Sequence, residues 1–159
     1  MKPAHEHIFE DRLMGSDCVV SIISSSAEHA RHQYERAKAF GDAYEQRFSR
    51  FIPTSELSQL NESGSAVMSP EFMEALSVGF DIYRATKGIF NPLVQIARLG
   101  YNQSFDGLSG NRPHNNDAYD AQLSSVTIDT TNQHVRLGTG QKIDMGGFLK
   151  GFVAERMAK

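Results

Sequence analysis

Asp144-Met145-Gly146-Gly147-Phe148-Leu149-Lys150-Gly151 brings a carboxylate, two adjacent glycines and an ammonium group into one short stretch. Ahead of it, Val135, Leu137 and Ile143 read as strand; after it, Leu149, Phe152, Val153 and Met157 fall at helical spacing. A glycine pair between strand and helix lets the backbone come close to a ligand, and the helix start turns amide N–H groups and a positive dipole end outward. Such a corner suits a phosphate or pyrophosphate. Lys150 falls in the first helical turn, where the dipole disfavours a cation by about 0.3 kcal/mol or more. A negative partner is therefore expected, either Asp144 or a bound anion. An ordinary strand-to-helix corner, with Asp144 capping the helix and Lys150 in solvent, fits the same residues.

Other reactive side chains form weaker patterns. Six histidines invite a metal reading, but His5 and His7 sit near a terminus expected to fray, and His29 and His32 lie off the apolar stripe of a helix. No cysteine or acidic set completes a zinc tetrahedron around them. Ser49 and Ser55 have no evident His and acid partners, which argues against a nucleophilic hydrolase. Cys18, the single cysteine, makes no internal disulfide and reads as filler on an alternating strand.

The elements that must position these groups follow from periodicity. Cys18 to Ser24 alternates as a strand and leads to a long helix over Ala27 to Phe48, capped by Ser25 or Ser26. Its stripe is Ala30, Tyr34, Ala37, Tyr44 and Phe48, widened by Phe40. Pro53 introduces a short helical turn over Ser55 to Leu60. Ser69 and Pro70 mark the cap and first position of another helix, with Phe72, Leu76, Phe80 and Tyr83 on its buried face and Gly88 past its end. Tyr101 to Gln122 is polar and reads as a loop, mobile near His114 to Asp117. Residues 125–129 and 133–137 then flank Thr130-Thr131-Asn132 as a β-hairpin. The expected class is α+β, one domain with helices packed on an antiparallel or mixed sheet.

Bulk properties narrow the partners. A chain of 159 residues with 40% hydrophobic content can bury a real core. The net charge of -3 comes with no basic block, so nucleic acid is not an expected partner. No run approaches a membrane span, and the first residues lack the apolar region of a signal peptide.

Three further segments join the glycine corner. They are Met14-Gly15-Ser16-Asp17, the stretch Glu45-Gln46-Arg47-Phe48-Ser49-Arg50-Phe51-Ile52-Pro53-Thr54-Ser55-Glu56-Leu57-Ser58-Gln59-Leu60-Asn61, and Thr86-Lys87-Gly88-Ile89-Phe90-Asn91-Pro92. In this order, ending in Asp-Met-Gly-Gly-Phe-Leu-Lys-Gly, the chain resembles the FAD:protein FMN transferases, the ApbE family, from about Met14 onward. The resemblance implies a T-fold-like domain of which this chain is the N-terminal half. A second half would supply acidic and hydroxyl ligands for magnesium and a His-containing segment at the transfer site. It also implies a reaction, in which the pyrophosphate of FAD is cleaved and its FMN half passes to a threonine of an acceptor flavoprotein, with magnesium balancing charge.

By the same resemblance, Met14 lies against the nucleotide, although a core methionine fits its position too. Phe51 stacks on the ligand, and Ile89, Phe90 and Asn91 meet its adenine-ribose part. Asn91 stands where an aspartate is commoner, keeping the acceptor oxygen without the charge. Asp144 and Lys150 contact FAD, and Gly147 offers magnesium a main-chain oxygen. Many relatives look like exported lipoproteins, whereas the sequence as written reads either as cytoplasmic or as lacking a targeting segment. Two functions stay open: a magnesium-dependent flavin transferase, inactive as this fragment, and a non-catalytic half-domain that binds flavin nucleotide or a partner. Apolar surface left uncovered is expected to bring self-association or binding of a complementing C-terminal half.

Overall fold

The structure, a computed structural model, describes residues 3–93 and 121–159. The loop expected over 101–122, apart from its last two residues, lies outside them. In chain order the elements are β1 (His5–Leu13), β2 (Ser16–Ser24), α1 (Ala27–Phe48), α2 (Glu56–Ser63), β3 (Ser65–Val67), α3 (Pro70–Ala85), β4 (Thr127–Asp129), β5 (His134–Arg136) and α4 (Leu149–Met157). β1 and β2 form an antiparallel hairpin, and β3, β5 and β4 form a second antiparallel sheet in that spatial order. The α+β expectation holds.

Each of the first three helices starts where a serine can cap it. The side chains of Ser26, Ser55 and Ser69 accept from the N–H groups of His29, Ser58 and Phe72, and Pro70 occupies the first turn of α3. α1 buries Tyr44 and Phe48, α3 buries Phe72, Leu76 and Phe80, and α4 buries Leu149, Phe152 and Val153. Their rings form a ladder: Phe72 stacks on Phe48 at 5.1 Å, Phe48 on Tyr44 at 5.4 Å, and Tyr44 meets Phe152 at 6.2 Å. The core thus joins the helix that ends at Phe48 to the helix that follows the glycine corner.

Three local expectations need correction. His5 and His7 are not in a fraying end but in β1, which pairs with β2 along its whole length. The strand hides in the sequence because its inward positions mix His7, Phe9, Asp11 and Leu13, so no apolar alternation appears. The acid is accommodated by α1, where Tyr34 donates to Asp11 at 2.5 Å and Lys38 pairs with it at 3.1 Å, while Phe9 stacks on Tyr34 at 4.4 Å. Ile143 is buried but not in a strand. The late hairpin is shorter than expected, with Leu123–Ser125 in a 3₁₀ turn ahead of β4, and its inner strand β5 pairs as well with β3, which the sequence reading missed.

The Asp11 cluster makes stability pH-dependent. Hydrogen bonds from Tyr34 and then from the Arg12 N–H and Lys38 lower the Asp11 pKa from 3.8 to about 2. A folded-state pKa below the unfolded one adds stability that is complete above the unfolded value and is lost as pH falls through the folded one. Wild type should therefore lose melting temperature between pH 3.8 and about 2, and Asp11→Asn should flatten that part of the profile. Parallel slopes for the two proteins over this window would show that the cluster carries no such linkage.

On the outer face of the hairpin, Ile8, Val19 and Ile23 are exposed. Among the described residues no helix is long and apolar enough to cross a membrane.

Candidate nucleotide site

The first wall of the site is the turn between β1 and β2. Met14 and Gly15 both have positive φ, 52° and 68°, the geometry of a two-residue type I′ hairpin turn, where Asn-Gly is the favoured pair. Methionine in the left-handed region is strained, and Glu45 of α1 holds it there by accepting the Met14 N–H at 2.9 Å. The Met14 side chain is partly buried against the core, which fits the core reading of this residue.

The second wall is the corner after α1. Ser55 is almost fully buried; its hydroxyl donates to the Ser49 carbonyl at 2.7 Å and accepts from the Ser58 N–H at 3.0 Å. This folds Arg50 and Phe51 outward. Phe51 is 46% exposed, and the Arg50 guanidinium lies 4.3 Å from its ring centroid.

The glycine turn itself is held by borrowed partners. The Asn61 amide donates to the Ile143 carbonyl at 2.8 Å and its oxygen accepts the Ile143 N–H at 2.7 Å, supplying what a neighbouring strand would have supplied. The Asp144 N–H donates to the Pro92 carbonyl at 2.8 Å. The Asp144 carboxylate does not cap α4: one oxygen accepts the Gly146 N–H at 2.8 Å and the other pairs with Arg50 at 3.2 Å. α4 has no side-chain cap at Phe148. At Gly147 a Cβ would lie 2.9 Å from Phe90 Cε2, so a larger residue there would have to displace the Phe90 ring. Phe90 in turn meets Phe148 edge-on at 5.8 Å.

Lys150 reaches across to the first wall and donates to the Ser16 hydroxyl. The acidic partner expected for it is not Asp144, whose cation is Arg50. Among the described residues no carboxylate pairs with Lys150, so its charge is available to an anion.

Met14, Phe51, Phe90, Asn91, Asp144, Gly147 and Lys150 are thus linked through contacts among four segments. Ile89 is 91% exposed beside them. Asn91 serves the turn: its oxygen accepts the Leu93 N–H at 2.9 Å and its amide donates to the Ala121 carbonyl at 3.1 Å. Arg50, Ser16, Asn61 and Glu45 were missed from sequence. Glu45, Arg50 and Asn61 lie within the segment that contains Phe51, and Ser16 within the one that contains Met14, but only their partners in the fold reveal what they do.

The described residues alone do not complete a divalent-cation site. Among them no three His, Cys, Asp or Glu side chains converge as ligands, and the Asp144 oxygens already face Arg50 and Gly146. A main-chain oxygen near Gly147 would be one of the six that magnesium takes, beside waters and substrate phosphates.

Comparison with known proteins gives a consistent result. The sequence model of the ApbE family matches residues 14–159. The structure resembles the ApbE protein of Thermotoga maritima, with TM-score 0.76 at 20% identity over 96% of this chain and 51% of that one. It also resembles the apo flavinyl transferase ApbE of Pseudomonas stutzeri, with TM-score 0.75 and 14% identity over 98% of this chain and 52% of that one. For the flavin transferase ApbE of Vibrio cholerae the values are 0.76 and 14% over 98% and 53%. At these identities the likeness is one of fold. The chain spans about half the length of these structures. No curated protein matches it.

Proposed function

This chain belongs to the ApbE family, and from that premise we propose that it forms the nucleotide-binding side of a flavin transferase, with FAD as the ligand. In the proposed reaction an acceptor threonine hydroxyl oxygen bonds to the FMN-side phosphorus of FAD. The P–O bond to the AMP half breaks, AMP leaves, and the hydroxyl proton passes to a base that none of the site residues above provides. These residues bind and orient. Phe51 offers an exposed ring for stacking, the glycine turn and Lys150 meet the phosphates, and Met14 borders the same space. Among the described residues no metal-ligand set is present and no base is assigned. The second reading is a non-catalytic half-domain that binds flavin nucleotide or a partner.

The observation that carries the proposal is the convergence on one glycine turn of an ammonium group with no carboxylate partner among the described residues, an exposed aromatic ring and a fixed carboxylate, through Lys150–Ser16, Arg50–Phe51 and Asp144–Arg50. Lys150→Ala is expected to weaken FAD binding by about 1.5–3 kcal/mol, roughly one to two decades in Kd. Isothermal titration calorimetry on protein checked for folding by circular dichroism measures this. Unchanged affinity in this variant, accompanied by a lower melting temperature, would make the turn a structural corner and nothing more.

A further inference from the structure

Arg50 touches both recognition elements of the site. Its guanidinium lies over the Phe51 ring at 4.3 Å and pairs with one Asp144 oxygen at 3.2 Å. The other Asp144 oxygen holds the Gly146 N–H at 2.8 Å. A ring on Phe51 and an anion at the glycine turn would therefore meet one connected unit. The Asp144 carboxylate takes the Gly146 N–H and the Met145 carbonyl takes those of Phe148 and Leu149. A phosphate at this turn would therefore meet the Gly147 N–H and Lys150 beside that carboxylate, which without a cation would repel it. The side chains of Arg50 and Asp144 are only 21% and 14% exposed, so water and salt screen the pairing weakly. With Arg50 in place Asp144 is neutralised, and Lys150 gives this corner its net positive charge.

We propose that Arg50 is a positioning residue that sets the preference of this site for phosphate-bearing flavins: it cancels the Asp144 charge and keeps the carboxylate on the Gly146 N–H, so that the glycine turn receives an anion. The inference rests on the flavin-nucleotide reading given above. It predicts a dependence on ligand charge that a scaffold residue would not show.

The test titrates the whole chain with FAD, FMN and riboflavin, following flavin fluorescence, with a melting curve for each variant. Arg50→Ala should weaken FAD and FMN roughly ten- to a hundredfold and change riboflavin by less than about threefold. Arg50→Lys, which keeps the charge, should retain most of the affinity. Should R50A unfold, Arg50→Gln removes the charge more gently and is read the same way. Adding Asp144→Asn to R50A removes the repelling charge and keeps an acceptor for the Gly146 N–H, and it should recover most of the lost FAD affinity. Equal losses for all three flavins, or no recovery in the double variant, would overturn the inference while leaving flavin binding intact. A wild-type chain that binds none of the three would overturn the functional reading and this inference with it.

Discussion

Alanine at Asn61 is expected to lower folding stability by about 2–4 kcal/mol and to release the glycine turn from its place. The side chain satisfies both backbone groups of Ile143, at 2.8 and 2.7 Å, and Ile143 is buried. Leaving a buried donor or acceptor unpaired costs about 1–3 kcal/mol each, reduced here where water can follow the truncated side chain. Asn61→Asp separates the two bonds. A carboxylate still accepts the Ile143 N–H, but it faces the Ile143 carbonyl with no proton to give, so at neutral pH it should be no better than alanine. Urea unfolding of the three proteins measures the difference. A loss under about 0.5 kcal/mol for N61A, the size of a neutral surface change, would mean that the 143–147 segment holds its course without Asn61.

A comparable or larger effect is expected from Phe72→Ala. Phe72 is fully buried and stacks on Phe48 at 5.1 Å with planes 9° apart. Through Phe48 and Tyr44 it communicates with Phe152 of α4. Truncating a buried Phe to Ala typically costs about 3–5 kcal/mol, part transfer and part cavity. The ladder predicts that the cavity is felt at α4 as well as at α3. In urea unfolding the midpoint should fall by that amount with little change in slope. Phe72→Leu, which fills more of the space, should recover a good part of it. An F72A variant that loses less than about 1 kcal/mol, within the range of ordinary substitutions, would show that the helices repack around the gap.

What was legible in the sequence follows from the physics of each element. α1 and α3 carry long apolar stripes and serine caps, both local signals, and their bounds were read closely. β1 was lost because Asp11 occupies an inward position, tolerable only once Tyr34 and Lys38 come to it from α1. β3 is three residues long and exists by pairing with β5, far away in sequence. Ile143 looked like strand because it is apolar and follows Val135 and Leu137 ahead of the glycine pair, and its partner proved to be a side chain rather than a strand. In the site, the glycine pair, Phe51 and Met14 were visible as residues. Who pairs with whom was not. Lys150 on Ser16 and Asp144 on Arg50 are contacts between segments distant in sequence, and neither composition nor spacing encodes them.

The central claim is that four segments make one nucleotide site: the turn at 13–16, the corner at 49–52, the turn at 89–92 and the element at 144–151. Hydrogen–deuterium exchange of the whole chain with and without saturating FAD tests it most directly, since amides under a bound ligand exchange more slowly. The account predicts added protection in those four segments together, with β4 and β5 at 127–136 unchanged. Protection confined to the β3–β5–β4 sheet, or no change anywhere at FAD concentrations well above the flavin transition, would contradict it.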